Sequence, residues 1–391
     1  MRIAILTSGI LPVPAVQGGA VENLIDFYLD YNDKNKLHDI TVYSVWHPNV
    51  EHHPTINSEV NHYTYINVNT LWAKFKKALY KHYHKNRYYH YTIEYYLEQA
   101  LQRIRCHNYG MIIVENRPGY VLKLKERINT SCILHLHNDF LNKEICQSSI
   151  IFTGYDGIIG VSDFISKRAQ EINPKQQKCK TVHNAIDYQR FYQATPMPRK
   201  TYGLSEKDFV IVYSGRLTEE KGILQLIQAI KQLHIIYNLK LLIIGASSYG
   251  KDKHPTPFIE QLNRESEPIK DQVIYTGFID YQQIPSYLKM ADIAVVPSMW
   301  EEPFGLTVVE AMAAGLPLVT TRSGGIPEIC EGVATIVERE HIVDNLVKAI
   351  LDLYNHPEKR KQMSIASLKR SKLFDKETYA KNFFAALENI I

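Results

Sequence analysis

A glycine turn flanked by two cations occupies residues 215–222, with the sequence Gly-Arg-Leu-Thr-Glu-Glu-Lys-Gly. It follows an apolar run at 209–214 that is typical of a buried strand, and a helical pattern at 223–236 comes next. A turn that starts a helix presents backbone N–H groups and the positive end of the helix dipole, both of which suit phosphate. Arg216 and Lys221 add the positive charge that a diphosphate would require. The alternative is an ordinary strand-to-helix turn with solvated charges.

Two carboxylates, Glu302 and Glu310, frame a second turn that contains Pro303 and Gly305. Glycine allows the backbone to approach a ligand closely. Glu310 falls in the apolar stretch 306–314, where an unpaired carboxylate would be costly. The pair can accept hydrogen bonds from a ribose diol and from sugar hydroxyl groups. The alternative is a solvent-exposed Glu302 and a capping Glu310.

Two further glycine pairs are weaker signals. Gly324 and Gly325 precede a helical pattern after an apolar run, and Gly18 and Gly19 follow the first apolar run. Each pair is either a phosphate-binding loop or a plain tight turn.

The apolar run 132–137 ends in His-Leu-His, and strand alternation puts His135 and His137 on the same side. A metal pair would need a third ligand, which no useful spacing supplies, so we predict no metal site. His137, at the strand end, is the better candidate for a ligand site, and His135 is predicted to pack in the core.

Apolar runs alternate with helical stretches along the whole chain, which is the pattern of a parallel sheet covered on both faces. The pattern breaks around two prolines at 191–206 and then resumes. The predicted fold class is therefore α/β, with two Rossmann-like doubly wound parallel-sheet domains facing a central cleft. Ligands of such sheets bind beyond the carboxyl ends of the strands, which is where the motifs fall. The predicted segments are a first domain at 1–190, the linker, a second domain at 207–374 and a terminal helix at 375–391.

The length and composition agree with a protein of two globular domains. A chain of 391 residues is long enough for two domains, and 45% hydrophobic with 22% charged residues is typical of globular proteins. No apolar run reaches the roughly 18 residues that span a bilayer, so a cytoplasmic location is expected. Five scattered cysteines argue against disulfides and zinc, and a net charge of +4 does not imply nucleic acid.

In this order, the three motifs of the second half resemble the family-4 glycosyltransferases of the GT-B fold, through 215–222, 302–315 and 324–328. The first half resembles the family more loosely, and the whole likeness spans nearly the full chain. Family members commonly have glycine after the asparagine of the segment 183–187, where this chain has Ala185. A donor role for Asn184 is therefore not carried over.

The resemblance implies a retaining transferase that uses a nucleotide sugar and needs no metal or other cofactor. It implies that Arg216 and Lys221 hold the donor diphosphate, Glu310 the ribose and Glu302 the donor sugar, with His137 near the reacting sugar. The implied catalytic residues are Arg216, Lys221, Glu302 and His137. The donor-binding residues are expected to be Gly18, Gly19, Gly215, Phe278, Phe304, Gly305, Leu306, Glu310, Gly324 and Gly325. By resemblance, the terminal helix would return to the first domain.

No nucleophile and acid pair of glycosidase type is apparent, which favours attack of the acceptor hydroxyl from the leaving-group face. Arg216, Lys221 and helix dipoles would stabilise the charge that develops on the diphosphate. UDP is favoured over GDP by family frequency. A saccharide or lipid-linked saccharide acceptor, in the synthesis of a surface or capsular polysaccharide, is an expectation of the same kind.

A basic and aromatic segment at 72–91 contains no acid. It is predicted to lie on an anionic membrane surface, at the inner face of the plasma membrane. A solvated helix with a packed aromatic face is the plain alternative, and nucleic acid, a third possibility, is not an expected partner. The basic residues of this predicted acceptor or membrane surface are Lys74, Lys76, Lys77, Lys81, Lys85 and Arg87.

Three other functions compete. A nucleotide-sugar 2-epimerase shares the architecture but needs acid–base residues at the sugar, and the Glu302 and Glu310 motif fits transfer better. A nicotinamide enzyme would have Gly-x-Gly-x-x-Gly after the first strand, which residues 7–12 do not supply. A non-catalytic scaffold would have no evident use for these charged motifs.

Overall fold

The structure is a computed structural model that describes residues 1–83, 90–246 and 256–390. Its contacts divide the chain into two compact units. Unit 1 contains Met1–Asn184 and the segment from Lys376 onward, and unit 2 is Ala185–Asp375. The division falls a few residues before the linker predicted at 191–206.

Unit 1 is built on a parallel sheet, seven-stranded within the described residues, in the order β3-β2-β1-β4-β5-β6-β7. Its strands and helices up to the unit boundary are β1 (Arg2–Leu6), α1 (Ala20–Asn35), β2 (Asp39–Val45), β3 (Asn61–Ile66), α2 (Leu71–Tyr83), α3 (Tyr91–Ile104), β4 (Met111–Glu115), α4 (Tyr120–Arg127), β5 (Ser131–Leu136), α5 (Ser148–Gly154), β6 (Gly157–Gly160), α6 (Asp163–Gln170) and β7 (Cys179–Thr181).

Unit 2 is built on a second parallel sheet, six-stranded in the described part, in the order β10-β9-β8-β11-β12-β13. Its strands and helices are α7 (Tyr188–Tyr192), β8 (Phe209–Ser214), α8 (Ile223–Gln232), β9 (Leu239–Ile244), α9 (Pro257–Ser266), β10 (Val273–Gly277), α10 (Ile284–Leu288), β11 (Ile293–Val296), α11 (Leu306–Ala313), β12 (Leu318–Thr321), α12 (Ile326–Cys330), β13 (Thr335–Val337), α13 (Ile342–Asn355) and α14 (Pro357–Ser371). Short 3₁₀ turns join several of them.

Two doubly wound parallel sheets confirm the predicted fold class. The central strands are largely apolar because helices cover both faces of each sheet, and every residue of β4 is buried, including Glu115 at its end. The edge strand β3 was not predicted, because only its two end residues are buried and it includes several polar side chains. The last strand of unit 1, Cys179–Thr181, is a short edge strand that pairs with β6.

The last helix, α15 (Lys376–Glu388), belongs to unit 1, where its aromatic face packs on α1. The ring of Phe383 stacks on that of Tyr28, with centroids 4.3 Å apart, and lies 5.1 Å from the ring of His135. This helix therefore closes one side of the buried region around the end of β5.

No helix in the described residues is both long and apolar enough to cross a membrane. All five cysteines lie in the described part, and each is a free thiol. Burial raises the pKa of Cys132 to about 11 and those of Cys179 and Cys330 to about 12, so these thiols stay protonated near neutral pH.

Candidate functional site

The turn after β8 packs against the loop after β11 through contacts between backbone atoms. Gly222 ends the turn with φ +71° and is the N-cap of α8, and a Cβ built there would lie 1.8 Å from the carbonyl oxygen of Pro297. The N–H of Met299 donates to the carbonyl oxygen of Glu220 at 2.9 Å. Only glycine therefore fits at position 222, and the close contact fixes Lys221 beside the second motif.

Lys221 contacts two neighbours in unit 2, Glu302 and Trp300. Its Nζ donates to Oε1 of Glu302 at 2.6 Å and lies 5.2 Å from the centre of the Trp300 ring. The hydroxyl of Ser298 donates to the same carboxylate oxygen. Glu302 is buried, so this ion pair is less screened than a surface pair. The pair fixes an ammonium group and a carboxylate together at the carboxyl ends of β8 and β11.

Arg216 is more exposed than Lys221. Its guanidinium group makes a long contact of 3.7 Å with Glu220, and its carbonyl oxygen accepts from the hydroxyl of Tyr213 at 2.8 Å. The backbone of Arg216 is thus fixed, while its side chain remains open to an anionic ligand.

The third motif binds back onto the second. The N–H of Gly325 donates to the carbonyl oxygen of Glu302 at 2.8 Å, and that of Gly324 donates to Oε2 of Glu301 at 2.6 Å. Motifs more than 100 residues apart in the chain are therefore one contiguous loop cluster in unit 2. In this arrangement both glycine N–H groups serve the loop itself, so their predicted contact with phosphate stays a prediction.

Gly324→Ala should destabilise the protein much more than Gly332→Ala. Both glycines have positive φ, +51° and +80°, but a Cβ at 324 would lie 2.2 Å from the carbonyl oxygen of Glu302, whereas position 332 is open. We expect a loss of about 1 kcal/mol in the free energy of unfolding at 332 from backbone strain, and about 3 kcal/mol or more at 324. Denaturant unfolding measures both, and equal losses would contradict the close approach.

Glu310 is buried in α11, which begins directly after Gly305 with φ +113°. Burial raises its pKa to about 7, and the opposing effects of a hydrogen bond with Tyr281 and the charge of Arg190 are smaller. The guanidinium group of Arg190 lies 4.9 Å from the centre of the Tyr281 ring. Tyr281 and Arg190 were not predicted from sequence, because neither lies in a glycine motif or next to Glu310 in the chain.

The other predicted donor-binding residues differ in what they can offer. The Phe304 ring is buried against Phe374, with centroids 5.7 Å apart, so only its main chain could meet a ligand. Phe278 directly follows β10 and is 53% exposed. Leu306 is the first residue of α11, and the first N–H groups of a helix have no partner within it.

In unit 1 the predicted phosphate turn is followed by a buried carboxyl group. Gly18 and Gly19 have φ +76° and +110°, and a Cβ at Gly19 would lie 2.2 Å from Oε2 of Glu22. Burial raises the pKa of Glu22 to about 7, and the charge of Glu115 adds to that rise. An ionised Glu22 would repel phosphate, and the role of Gly18 and Gly19 stays a prediction.

His135 and His137 meet on Glu115, which the sequence did not point to. Nδ1 of His135 lies 3.0 Å from Oε2 of Glu115, and Nε2 of His137 lies 2.8 Å from the same oxygen. All three side chains are buried, and their potential ligand atoms lie within 4.8 Å of one another. They could supply three ligands to a metal ion, one fewer than a closed zinc site has. Hydrogen bonding to the carboxylate accounts for the same geometry.

The helix α2 carries the described part of the basic surface. Lys74 is exposed, Lys76 is half-buried, and Nζ of Lys81 lies 5.9 Å from the centre of the Tyr91 ring. Lys77 departs from the prediction, because its Nζ donates to the carbonyl oxygen of Val68 at 2.7 Å and burial lowers its pKa. Lys85 and Arg87 lie outside the described residues.

Comparison with known proteins identifies the class. Residues 197–370 match the family model described as glycosyl transferases group 1. The chain is 28% identical to the putative glycosyltransferase YtcC of Bacillus subtilis, over 91% of this chain and 81% of that protein. It is 27% identical to spore coat protein SA of the same organism, over 99% of each. It is 27% identical to a lipopolysaccharide 1,2-N-acetylglucosaminetransferase of Salmonella typhimurium, over 72% of this chain and 73% of that one.

Solved structures give the same fold. Anabaena Alr3699/HepE, crystallised with UDP and glucose, superposes with a TM-score of 0.73 at 18% identity, over 99% of each chain. Sucrose-phosphate synthase of Thermosynechococcus elongatus superposes with a TM-score of 0.74 at 20% identity, over 100% of this chain and 99% of that one. The fold is therefore GT-B. The family match covers residues 197–370, which contain all three motifs of unit 2, and the relatives are named as glycosyltransferases, so the protein is a glycosyltransferase.

Proposed function

We propose that the protein is a retaining hexosyltransferase that uses a UDP-sugar and acts without a metal ion. Its acceptor is a saccharide or lipid-linked saccharide in the synthesis of a cell-surface polysaccharide. The relative from Salmonella is named for transfer to lipopolysaccharide, and the Anabaena neighbour was crystallised with UDP and glucose, which supports these two choices. GDP-mannose is the competing donor.

The Lys221–Glu302 ion pair carries this proposal. It holds an ammonium group at the carboxyl end of the unit 2 sheet, where the ligands of parallel α/β sheets bind. The exposed guanidinium of Arg216 supplies a second cation in the same turn, and Glu310, in the middle of α11, is an acceptor for ribose hydroxyl groups. A diphosphate, a ribose and a sugar thus each have a chemically matched partner in unit 2.

The reaction balances without another reactant. The bond between the anomeric carbon and the diphosphate oxygen breaks, and its electron pair stays on the diphosphate, where Lys221 and Arg216 stabilise the new charge. The acceptor hydroxyl oxygen then bonds to the anomeric carbon on the same face. Its proton passes to an oxygen of the departing diphosphate, so no protein base is required.

A donor panel tests the proposal. The full chain is incubated in EDTA with UDP-glucose, UDP-galactose, UDP-N-acetylglucosamine and GDP-mannose, together with a panel of saccharide and lipid-linked acceptors. We expect one UDP-sugar to be consumed and an α-linked product, read from its anomeric NMR signal. A β-linked product would contradict retention, and consumption only after Mg²⁺ addition would contradict metal independence.

We also propose that α2 holds unit 1 on an anionic membrane. Leu71, Trp72 and Phe75 are 85%, 59% and 54% exposed, which is unusual for large apolar side chains on neighbouring turns. The Trp72 and Phe75 rings stack with centroids 5.7 Å apart, and Nζ of Lys76 lies 5.1 Å from the Trp72 ring centre. Exposed apolar side chains among lysines suit a lipid interface.

The double variant Trp72→Ala/Phe75→Ala should lose binding to vesicles that contain phosphatidylglycerol. Two aromatic anchors are removed while every lysine stays, so we expect at least a tenfold weaker partition in sedimentation. The matched control is Ile235→Ala/Tyr237→Ala in unit 2, which removes two large apolar side chains that are 69% and 84% exposed. Equal binding of both variants, or of wild type to neutral vesicles, would contradict this placement.

A further inference from the structure

The buried network around Glu115 has a defined direction of hydrogen bonding. Oε1 of Glu115 accepts a hydrogen bond from the hydroxyl of Tyr28 at 2.9 Å. Nδ1 of His135 and Nε2 of His137 both lie within hydrogen-bonding distance of Oε2. Burial opposes ionisation of Glu115, but the charge of His135 and the hydrogen bonds of both histidines outweigh it and hold its pKa below the usual range. The carboxylate is therefore the acceptor of all three bonds.

This direction fixes the protons of the two imidazole rings. A carboxylate offers only lone pairs, so Nδ1 of His135 and Nε2 of His137 must each carry a proton. Burial, with a smaller contribution from His135, lowers the pKa of His137 to about 4, so its ring is neutral near pH 7. A neutral ring protonated on Nε2 has a bare lone pair on Nδ1.

Nδ1 of His137 is buried, and no described residue makes a hydrogen bond to it. Leaving a buried acceptor unpaired is costly, and Nε2 of His135 is unpaired in the same way. Only His137 lies beyond the end of β5, where the ligands of parallel sheets bind, so its Nδ1 is the atom that points to a ligand donor. The ring stands directly after β5, at the carboxyl end of the sheet. Its backbone is fixed by Asn116, whose Oδ1 accepts from the N–H of His137 at 3.1 Å and whose own N–H donates to the carbonyl oxygen of His135 at 2.8 Å.

We propose that Glu115 is a positioning residue that holds His137 in the Nε2–H tautomer, so that Nδ1 accepts a hydrogen bond from a hydroxyl group of the bound sugar. This inference rests on the proposed function, because it takes a sugar as the ligand. Because Nδ1 of His137 can only accept a hydrogen bond, the site favours a sugar with a hydroxyl group at this position. A deoxy or O-methyl sugar would leave Nδ1 unpaired and should bind poorly.

The variant Glu115→Gln should reverse the proton positions. The amide oxygen keeps the bond from Tyr28, while the two amide protons face Nδ1 of His135 and Nε2 of His137 and force these nitrogens to accept. His137 then carries its proton on Nδ1 and becomes a donor at the point where it must accept. We expect kcat to fall by about a hundredfold or more, as when a catalytic imidazole is held in the wrong tautomer, with UDP affinity unchanged.

The tautomer is read directly by NMR of the full-length protein labelled with ¹⁵N at histidine, with His137 assigned by its loss in His137→Asn. We expect an unprotonated Nδ1 in wild type and a protonated Nδ1 in Glu115→Gln. Tyr28→Phe is the matched control, because it removes one bond from the same carboxylate, keeps the ring that stacks on Phe383 and should leave the His137 tautomer unchanged.

Three results would overturn the proposal: a protonated Nδ1 in wild type, a reversed tautomer with kcat within about twofold of wild type, or one equivalent of tightly bound metal in the purified protein. The NMR measurement needs no turnover. It therefore decides the proton assignment even if the donor panel finds no substrate, which would be a failure of the proposed function instead.

Discussion

Lys221→Met should lower kcat/KM for the nucleotide sugar by about 10²- to 10³-fold, the range seen when one fixed stabilising group is removed from a developing anion. The ammonium group is held at 2.6 Å from Glu302, and the close contact of Gly222 with Pro297 fixes the backbone next to it. The loss should appear mainly in kcat, because the charge on the diphosphate grows as the sugar departs. Steady-state kinetics with the preferred donor measures it.

Lys231→Met is the control for that experiment. Lys231 also forms an ion pair, at 3.3 Å with Glu265, but it lies on the exposed side of α8. This variant should keep kcat/KM within about twofold, since exposed pairs contribute little. Circular dichroism of both variants separates lost folding from lost chemistry. A folded Lys221→Met enzyme with near-normal kcat/KM would remove Lys221 from the reaction.

Glu310→Gln should stabilise the unliganded protein at pH 8 and weaken nucleotide binding. Burial raises the pKa of Glu310 from 4.5 to about 7 on folding. Its contribution to stability is therefore fully present below about pH 4.5 and is lost as the pH rises through about 7. The loss is about 3 kcal/mol, and a neutral amide avoids it. Thermal unfolding at pH 8 and pH 4.5 should show a gain for the variant at pH 8 alone.

The same variant should bind UDP at least tenfold more weakly at pH 8, because one amide oxygen replaces two charged acceptors for the ribose diol. The affinity of wild type for UDP should rise from pH 6 to pH 8 more than that of the variant. Because UDP itself titrates equally in both experiments, this difference reports the ionisation of Glu310. Glu265→Gln, which changes a half-buried carboxylate on α9, should change neither quantity. A variant that is stabilised at pH 8 but binds UDP as tightly as wild type would support the raised pKa of Glu310. It would contradict the contact of Glu310 with the ribose.

The fold class and the local motifs could be predicted from the sequence because both depend on short-range patterns. The apolar runs gave the central strands, and the glycine turns marked strand ends where Lys221, Glu302 and Glu310 lie. What sequence missed depends on pairing between distant segments. Glu115 reaches His135 because β4 and β5 pair in register, with the two residues directly opposite. Nothing local in either strand specifies that register.

Side-chain direction was the second limit. Lys77 belongs to a basic segment by composition, yet its ammonium group turns inward to the backbone of Val68. Arg190 and Tyr281 approach Glu310 from a short helix and a loop that carry no motif. In each case the deciding contact comes from tertiary packing, which composition and spacing do not encode.

A metal-independent donor site in unit 2 is tested most directly by calorimetric binding of UDP, GDP, ADP and dTDP to the full chain in EDTA, repeated with Mg²⁺. We expect saturable binding of one nucleotide, UDP, with the same affinity in both buffers and a marked loss in Glu310→Gln. Binding of none of the four, or binding that appears only with Mg²⁺, would contradict a metal-independent donor site in unit 2.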